Sequence, residues 1–242
     1  MSLLVDVAIE DEVATVTLDS PSNRNALSQQ LLSDLHRALD EAERSRVRVV
    51  VLTHTPPVFC AGADLKERAG GTVDSTSFVR AIERLATMPS PVIAAVNGAV
   101  RAGGVGLMAA CDLVVVNPSI TFAFTEVRIG VAPAIITAPI LQRCGWSSIA
   151  AAYLTGESFD AAHALAMGLV THVSDDVAAT VGELVRGILL GAPNAVAVTK
   201  TLLRGSHTMA ELQALSESLF TSEEGREGMA AFAEKRPPRW AR

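Results

Sequence analysis

The chain has 242 residues, 49% of them apolar and 4% aromatic, with a net charge of −6. That length can bury a sizeable core as one ordinary domain with an appendage, and the apolar content excludes a disordered chain. The absence of a basic stripe argues against nucleic acid, the absence of any apolar run near 18 residues argues against a membrane span, and the acidic N-terminus MSLLVDVAIEDE has no signal-peptide layout, so the expected location is cytoplasmic.

In chain order, residues 3–9 and 13–18 alternate apolar and polar side chains around Asp11-Glu12, as in a β-hairpin. Residues 21–25 form a polar loop. Leu27, Leu31, Leu32, Leu35 and Leu39 mark one face of a helix reaching about Ser45, with Ser28 near its start. Residues 47–53 read as a buried strand, and residues 59–64 lead from a loop into a short helix. Residues 69–74 are polar and glycine-containing, as in a mobile loop. Residues 77–86 are helical, ending before Pro89 and Pro91. Residues 92–96 form a second buried strand and Asn97-Gly98 a turn. Residues 97–102 then separate this strand from Gly103-Gly104 and a buried helix over 105–110. Residues 113–116 and 121–124 are further strands, and Glu126 stands just after them.

Residues 127–133 read as a loop and 140–152 as one helix. Asp160 caps a helix that stops at Gly168, followed by a strand over 169–173 and a long helix over 175–190. The remainder reads as helices alone. Strands alternating with helices, then helices only, predict an α/β core over 1–193 and a small all-helical domain over 194–242.

Glycines at a loop-to-helix junction bring backbone N–H groups close to a ligand, and the helix start behind them adds positive charge. The segment 102–104 therefore suits an oxyanion, with Glu126 beside it for proton transfer. The five histidines are scattered and give no metal-ligand spacing. Cys60, Cys111 and Cys144 sit apart among apolar neighbours and read as buried free thiols. Residues 104–109 fit a Gly-x-Gly-x-x-Ala dinucleotide pattern, but 97–102 put too many residues between strand and glycines for its tight turn.

Four segments together carry a family resemblance. Residues 59–65, FCAGADL, look like a crotonase signature. Residues 91–98 (PVIAAVNG) with Gly103-Gly104 and Cys111-Asp112 resemble a second. Thr155-Gly156-Glu157 with 166–170 (AMGLV) resembles a third, and 226–236 (REGMAAFAEKR) resembles the family's C-terminal segment. The chain thus resembles the crotonase, or enoyl-CoA hydratase/isomerase, superfamily over nearly its whole length.

That resemblance implies a crotonase-like spiral of ββα units with a small C-terminal helical domain, assembled as a homotrimer or a dimer of trimers. It implies an acyl-CoA thioester as substrate and no separate cofactor, coenzyme A being part of the substrate. The N–H groups of Ala63 and Gly103 match the oxyanion hole, and Glu126 matches the second of two catalytic glutamates. The first falls at Gly106, which has no side chain. Arg24, Ala26, Ala61, Asp64, Leu65 and Gly104 match substrate-binding positions. Phe232 and Lys235 match C-terminal positions that reach the coenzyme A of a neighbouring subunit.

Three further charges need a reading. Asp64 and Glu67 serve a helix start rather than chemistry. Glu126 has an alternative as a surface acid paired with Arg128. Arg101 matches no family role and is either solvated or a contact to an acidic acyl group. One glutamate suffices for Δ3,Δ2-isomerisation, but residues 126–136, EVRIGVAPAII, look like the methylglutaconyl-CoA hydratase-like branch. The expectation is an enoyl-CoA hydratase, with the isomerase as alternative and a catalytically inactive acyl-CoA-binding protein as a third reading.

Overall fold

The computed structural model describes residues 3–70 and 74–241. Strands β1 (Val5–Glu10) and β2 (Val13–Leu18) pair antiparallel, Val7 opposite Val16. Asp11 and Glu12 turn the hairpin at φ 46° and 65°, the positive angles that a right-twisted two-residue hairpin loop requires. Helix α1 (Gln29–Arg44) follows, its start fixed by the Ser28 hydroxyl, which accepts the Leu31 N–H. Then come β3 (Val49–His54), β4 (Val58–Cys60), α2 (Leu65–Ala69), α3 (Thr76–Thr87) and β5 (Val92–Val96). After these lie β6 (Ala99–Arg101), α4 (Gly103–Ala109), β7 (Leu113–Val116) and β8 (Thr121–Ala123).

A 3-10 turn, Glu126–Ile129, leads to α5 (Ala134–Leu141), α6 (Trp146–Thr155), β9 (Phe159–Asp160) and α7 (Ala161–Ala166). The chain then forms β10 (His172–Val173), α8 (Val177–Leu189), α9 (Pro193–Arg204), α10 (Met209–Thr221) and α11 (Glu223–Glu234).

One sheet runs β1-β2-β3-β5-β7-β10, parallel from β2 onward. Parallel strands are buried on both faces, and successive side chains point to opposite sides. Val50, Leu52, Ala94, Val96, Val114 and Val116 accordingly face the main core with α1 and α4. Val49, Val51, Ile93, Ala95 and Val115 face a second cluster with Val177 and Val181 of α8. The other sheet runs β4-β6-β8-β9, with β8 and β9 antiparallel. It closes the far side of the main core through Phe59 and Phe122, both fully buried.

Helix α9 is held to this core by charge. Lys200 Nζ lies 2.8 Å from Asp112 and also donates to Leu85 O and Ser90 O at 3.1 and 3.2 Å. Arg204 reaches the other Asp112 oxygen at 2.9 Å. Burial pushes the Lys200 pKa down and the Asp112 carboxylate opposes this. Asp112 of the second signature is therefore an anchor for α9.

The expected hairpin, α1, the core strands and the Asp160-capped helix are all present. Three expectations change. Residues 58–60 and 99–101 are strands rather than loop, each too short to be stable without its neighbours in the second sheet. Residues 140–152 are not one helix: α5 ends at Leu141, and Gly145 starts α6 with extended φ and ψ. The strand over 169–173 is confined to His172–Val173. Residues 71–73 of the loop expected to be mobile lie outside the described residues. All three cysteines are buried and free.

Candidate active site

Helix α4 begins abruptly because Ala102, its N-cap, takes φ 50° and ψ −122°, a region that non-glycine residues seldom enter. The bend is fixed by the Ala102 N–H, which donates to Ala123 O of β8 at 2.9 Å. The first N–H groups of a helix have no intrahelical acceptor, and Gly103 holds that position.

The loop before α2 packs directly onto this bend. Gly62 sits at φ +90°, and a Cβ there would lie 2.8 Å from Ala102 Cβ and 3.5 Å from Gly103 N. Leu27 N–H donates to Gly62 O at 2.8 Å, and Leu27 pairs with Ala63 in a parallel bridge. Asp64 then caps α2, accepting the N–H groups of Lys66 and Glu67 at 3.0 and 3.2 Å. Glu67 accepts the Gln29 N–H at 3.0 Å. Both acids thus serve helix starts, as expected.

These junctions open into a cavity of about 530 Å³ whose lining includes Ala63, Gly103 and Glu126. Phe78 and residues 131–136 wall it with mostly apolar side chains. Leu65, Ile129 and Val131, also in the lining, are 56%, 55% and 53% exposed. An apolar rim left this open suits an apolar ligand.

Glu126 starts the 3-10 turn after β8. Its Oε2 is buried with no hydrogen-bond partner among the described residues. Burial raises its pKa above the ordinary value, its own backbone N–H pulling weakly the other way. The Arg128 Nε is turned elsewhere, donating to Thr155 O at 3.0 Å. Among the described residues no ion pair joins the two.

Tyr153 of α6 packs on Phe124 with the rings tilted 49° and their centroids 4.4 Å apart. Its hydroxyl is buried beside Thr137. Burial pushes the phenol up to about 12; the Thr137 hydrogen bond pulls the other way, and the Glu126 charge adds to the rise.

Behind the Ile136 part of the wall the packing is different. Gly106 is buried in α4, and a Cβ there would lie 2.6 Å from Ile136 Cβ and 3.2 Å from Ile136 Cα, with Cγ2 closer still. Helix α5 occupies the space that a side chain at 106 would need.

The sequence pattern of the family described as Enoyl-CoA hydratase/isomerase matches residues 8–242. The chain belongs to the enoyl-CoA hydratase/isomerase family. It is 34% identical to the 2,3-dehydroadipyl-CoA hydratase of Escherichia coli K12, covering 98% of each chain. Among solved structures, an enoyl-CoA hydratase from Mycobacterium avium shares 43% identity at a TM-score of 0.76, over 99% of this chain and 100% of that one. The enoyl-CoA hydratase of Mycobacterium smegmatis superposes at a TM-score of 0.91 with 29% identity, over 99% of both chains. Family and fold are those the four sequence segments implied, and the family is one of enzymes.

Of the residues matched to family positions, Ala61, Ala63, Leu65, Gly103 and Glu126 line the cavity. Arg24, Ala26, Asp64, Gly104, Phe232 and Lys235 do not. Arg24 is exposed at φ 59°, and its carbonyl accepts the Ala61 N–H at 3.0 Å. Ala26 is buried, and Gly104 packs on Cys60. Phe232 is 88% exposed on α11, and Lys235 ends that helix at φ 55°.

Arg101 is neither solvated nor an acyl contact. It is half-buried, donates to Thr121 Oγ1 at 2.7 Å and to Val100 O at 3.0 Å, and lies outside the lining. The cation that does line the cavity is Arg68, which sequence reasoning passed over. The signal was present: Leu65, Arg68 and Ala69 are spaced i, i+3, i+4 after the Asp64 cap, which puts them on one helix face. Among the described residues no cluster of histidine, cysteine or carboxylate could hold a metal ion.

Proposed function

We propose that this chain is an enoyl-CoA hydratase in which Ala63 and Gly103 form the oxyanion hole and Glu126 is the single acid/base. The observation that carries the reading is the meeting of these three residues in one cavity, Glu126 with a buried, unpartnered carboxylate oxygen. The thioester oxygen accepts both N–H groups, and such a donor contributes roughly 3–4 kcal/mol to the transition state. Glu126 takes a proton from water as the hydroxyl adds to C3. The resulting enolate takes that proton back at C2. The similarity to the E. coli 2,3-dehydroadipyl-CoA hydratase favours this over proton transfer alone.

The second reading is Δ3,Δ2-isomerisation, favoured by Gly106: with Ile136 filling that wall, Glu126 is the acid left to move protons. Assays on crotonyl-CoA and on a 3-enoyl-CoA separate the two. Loss of the conjugated absorbance with the first supports hydration. Its appearance with the second, and no reaction with the first, overturns hydration. Silence with both, beside intact CoA binding, indicates a binding protein.

Residues 194–242 form the oligomerisation unit of this reading, anchored to the core through α9. Helix α10 buries no residue, while Met209, Phe220 and Phe232 are 79%, 63% and 88% exposed. Apolar surface of this kind supports docking on other subunits of a homotrimer or a dimer of trimers. Phe232 and Lys235 would complete a neighbour's CoA site, with Arg24, Ala26, Ala61, Asp64, Leu65 and Gly104 on the same ligand. Sedimentation at micromolar concentration tests this. A monomer of about 25.4 kDa that turns over enoyl-CoA would withdraw it.

A further inference from the structure

We infer that the Thr125 hydroxyl holds the attacking water together with Glu126, supplying the second contact that the glycine at 106 cannot. The inference rests on the hydratase reading of the cavity and adds a catalytic residue to it.

Hydration at C3 needs a water whose lone pair faces that carbon. Glu126 accepts one of the two water protons, and a water held by that single bond still turns about it. A second acceptor fixes its direction, and correct orientation of a reacting group lowers the barrier by itself. Among the described lining residues few side chains can accept a hydrogen bond. Arg68 is a donor only. Ser75, Thr125 and Glu126 remain. Position 106 offers no acceptor, since Gly106 has no side chain and Ile136 packs against it.

The chain itself places Thr125 for the task. It directly precedes Glu126 and caps the 3-10 turn that Glu126 begins, at φ −83° and ψ 0°. Those angles fall in the sparsely allowed bridge region, where many active-site residues sit. The Thr125 carbonyl accepts the Arg128 N–H at 3.1 Å. Its hydroxyl makes no cap hydrogen bond, the usual use of a threonine at that position, and no other one among the described residues. Glu126 has the matching deficit, an Oε2 buried without a partner. A single water between the two would serve both side chains, and β-branching restricts how far the Thr125 hydroxyl can swing away. Ser75 caps α3, in a different segment of the chain, with no such link to Glu126. In the step, the water donates one O–H to Thr125 Oγ1 and the other to Glu126. The Glu126 carboxylate takes the second proton as the water oxygen bonds to C3. The C2=C3 π pair moves into the thioester enolate held by the Ala63 and Gly103 N–H groups, and Glu126 returns the proton to C2. Thr125 ends unchanged.

The test compares two reactions of the same site. Hydration of crotonyl-CoA, hexenoyl-CoA or octenoyl-CoA needs the held water. Exchange of the C2 protons of butyryl-CoA for deuterium in heavy water, read by NMR, needs only Glu126 and the two N–H groups. Thr125→Val keeps the shape and removes the hydroxyl. Its kcat for hydration should fall roughly 10- to 100-fold, as for a lost hydrogen bond to a reacting group, with KM little changed. Its exchange rate should stay near the parental one, which also shows the variant to be folded. Thr125→Ser should keep most of the hydration. Parental hydration in Thr125→Val would overturn the inference. So would an equal fall of hydration and exchange, which would mean that Thr125 acts only through the turn carrying Glu126. A parent protein that exchanges without hydrating overturns the hydratase reading and the inference together, and is recognised before any variant is made.

Discussion

The two walls of the cavity differ in kind. On one, Glu126 stands at the start of a 3-10 turn with an oxygen buried and unpartnered. On the other, Ile136 of α5 lines the cavity and packs against Gly106 behind it, where no side chain stands. The first wall stores electrostatic cost, because a buried carboxylate lacking hydrogen bonds is less stable than a hydrated one. The second wall is ordinary close packing. The difference teaches that the glycine at 106 is a settled feature of this core. A side chain placed there would meet Ile136 of the neighbouring helix.

The comparison breaks most severely if the charged wall is neutralised. Glu126→Gln keeps size and removes basicity. Turnover is expected to fall by roughly 10²–10⁴, the usual contribution of a positioned general base. Steady-state kcat on the active substrate is the measurement, and near-parental turnover would remove Glu126 from the chemistry.

The packed wall should respond with stability instead. Gly106→Ala forces a Cβ against Ile136, and overpacking of this kind costs about 1–3 kcal/mol. Denaturant unfolding reads it directly. Ile136→Gly removes the atoms that the new Cβ meets, so the double variant should lose less than the sum of the two singles. Strict additivity would mean that α5 does not close that wall in solution. Gly106→Glu should not raise hydration, for the same steric reason.

The pH dependence sharpens the charged wall. Burial raises the Glu126 pKa above the ordinary 4.5. A general base must be ionised, so kcat/KM is expected to fall as pH drops through that raised value. The acid limb should therefore lie above 4.5. The sign for stability is opposite. The folded pKa exceeds the unfolded one, so the native state binds the proton first and this group's contribution rises as pH falls toward the unfolded value. Glu126→Gln should abolish both trends, and an acid limb at or below the ordinary value would place Glu126 in water.

How much of each wall could be read in the sequence follows from how local its causes are. Helix α1 was legible because its leucines repeat at helical spacing and Ser28 caps it. The Ala63, Gly103 and Glu126 positions were legible because each lies in a motif whose neighbours are near in sequence. The three-residue strands Val58–Cys60 and Ala99–Arg101 were not, since only pairing with β8 and with each other makes them strands. The break before α6 was written in Gly145 but obscured by apolar residues on both sides. The contact of Gly106 with Ile136 joins residues far apart in the chain, and no local pattern announces it. Arg68 stands between these cases: its helix face could be counted from Asp64, but not which surface that face would meet.

The smallest effect is expected where neither wall reaches. Arg24 is exposed and outside the cavity lining, yet its backbone takes part in the site: its carbonyl accepts the Ala61 N–H at 3.0 Å. Replacing the side chain leaves that hydrogen bond in place, so Arg24→Gln isolates the charge. Exposed ion pairs contribute about 0.2–1 kcal/mol, and loss of a contact to a CoA phosphate of that size weakens free CoA binding by a few-fold at most. Salt screens such contacts, so the variant's dissociation constant should vary less with ionic strength than that of the parent protein. Calorimetry at low and at physiological salt reads both quantities. If the dissociation constant at low salt does not change, the Arg24 side chain is a solvated charge, and its segment serves the site through the backbone that holds Ala61.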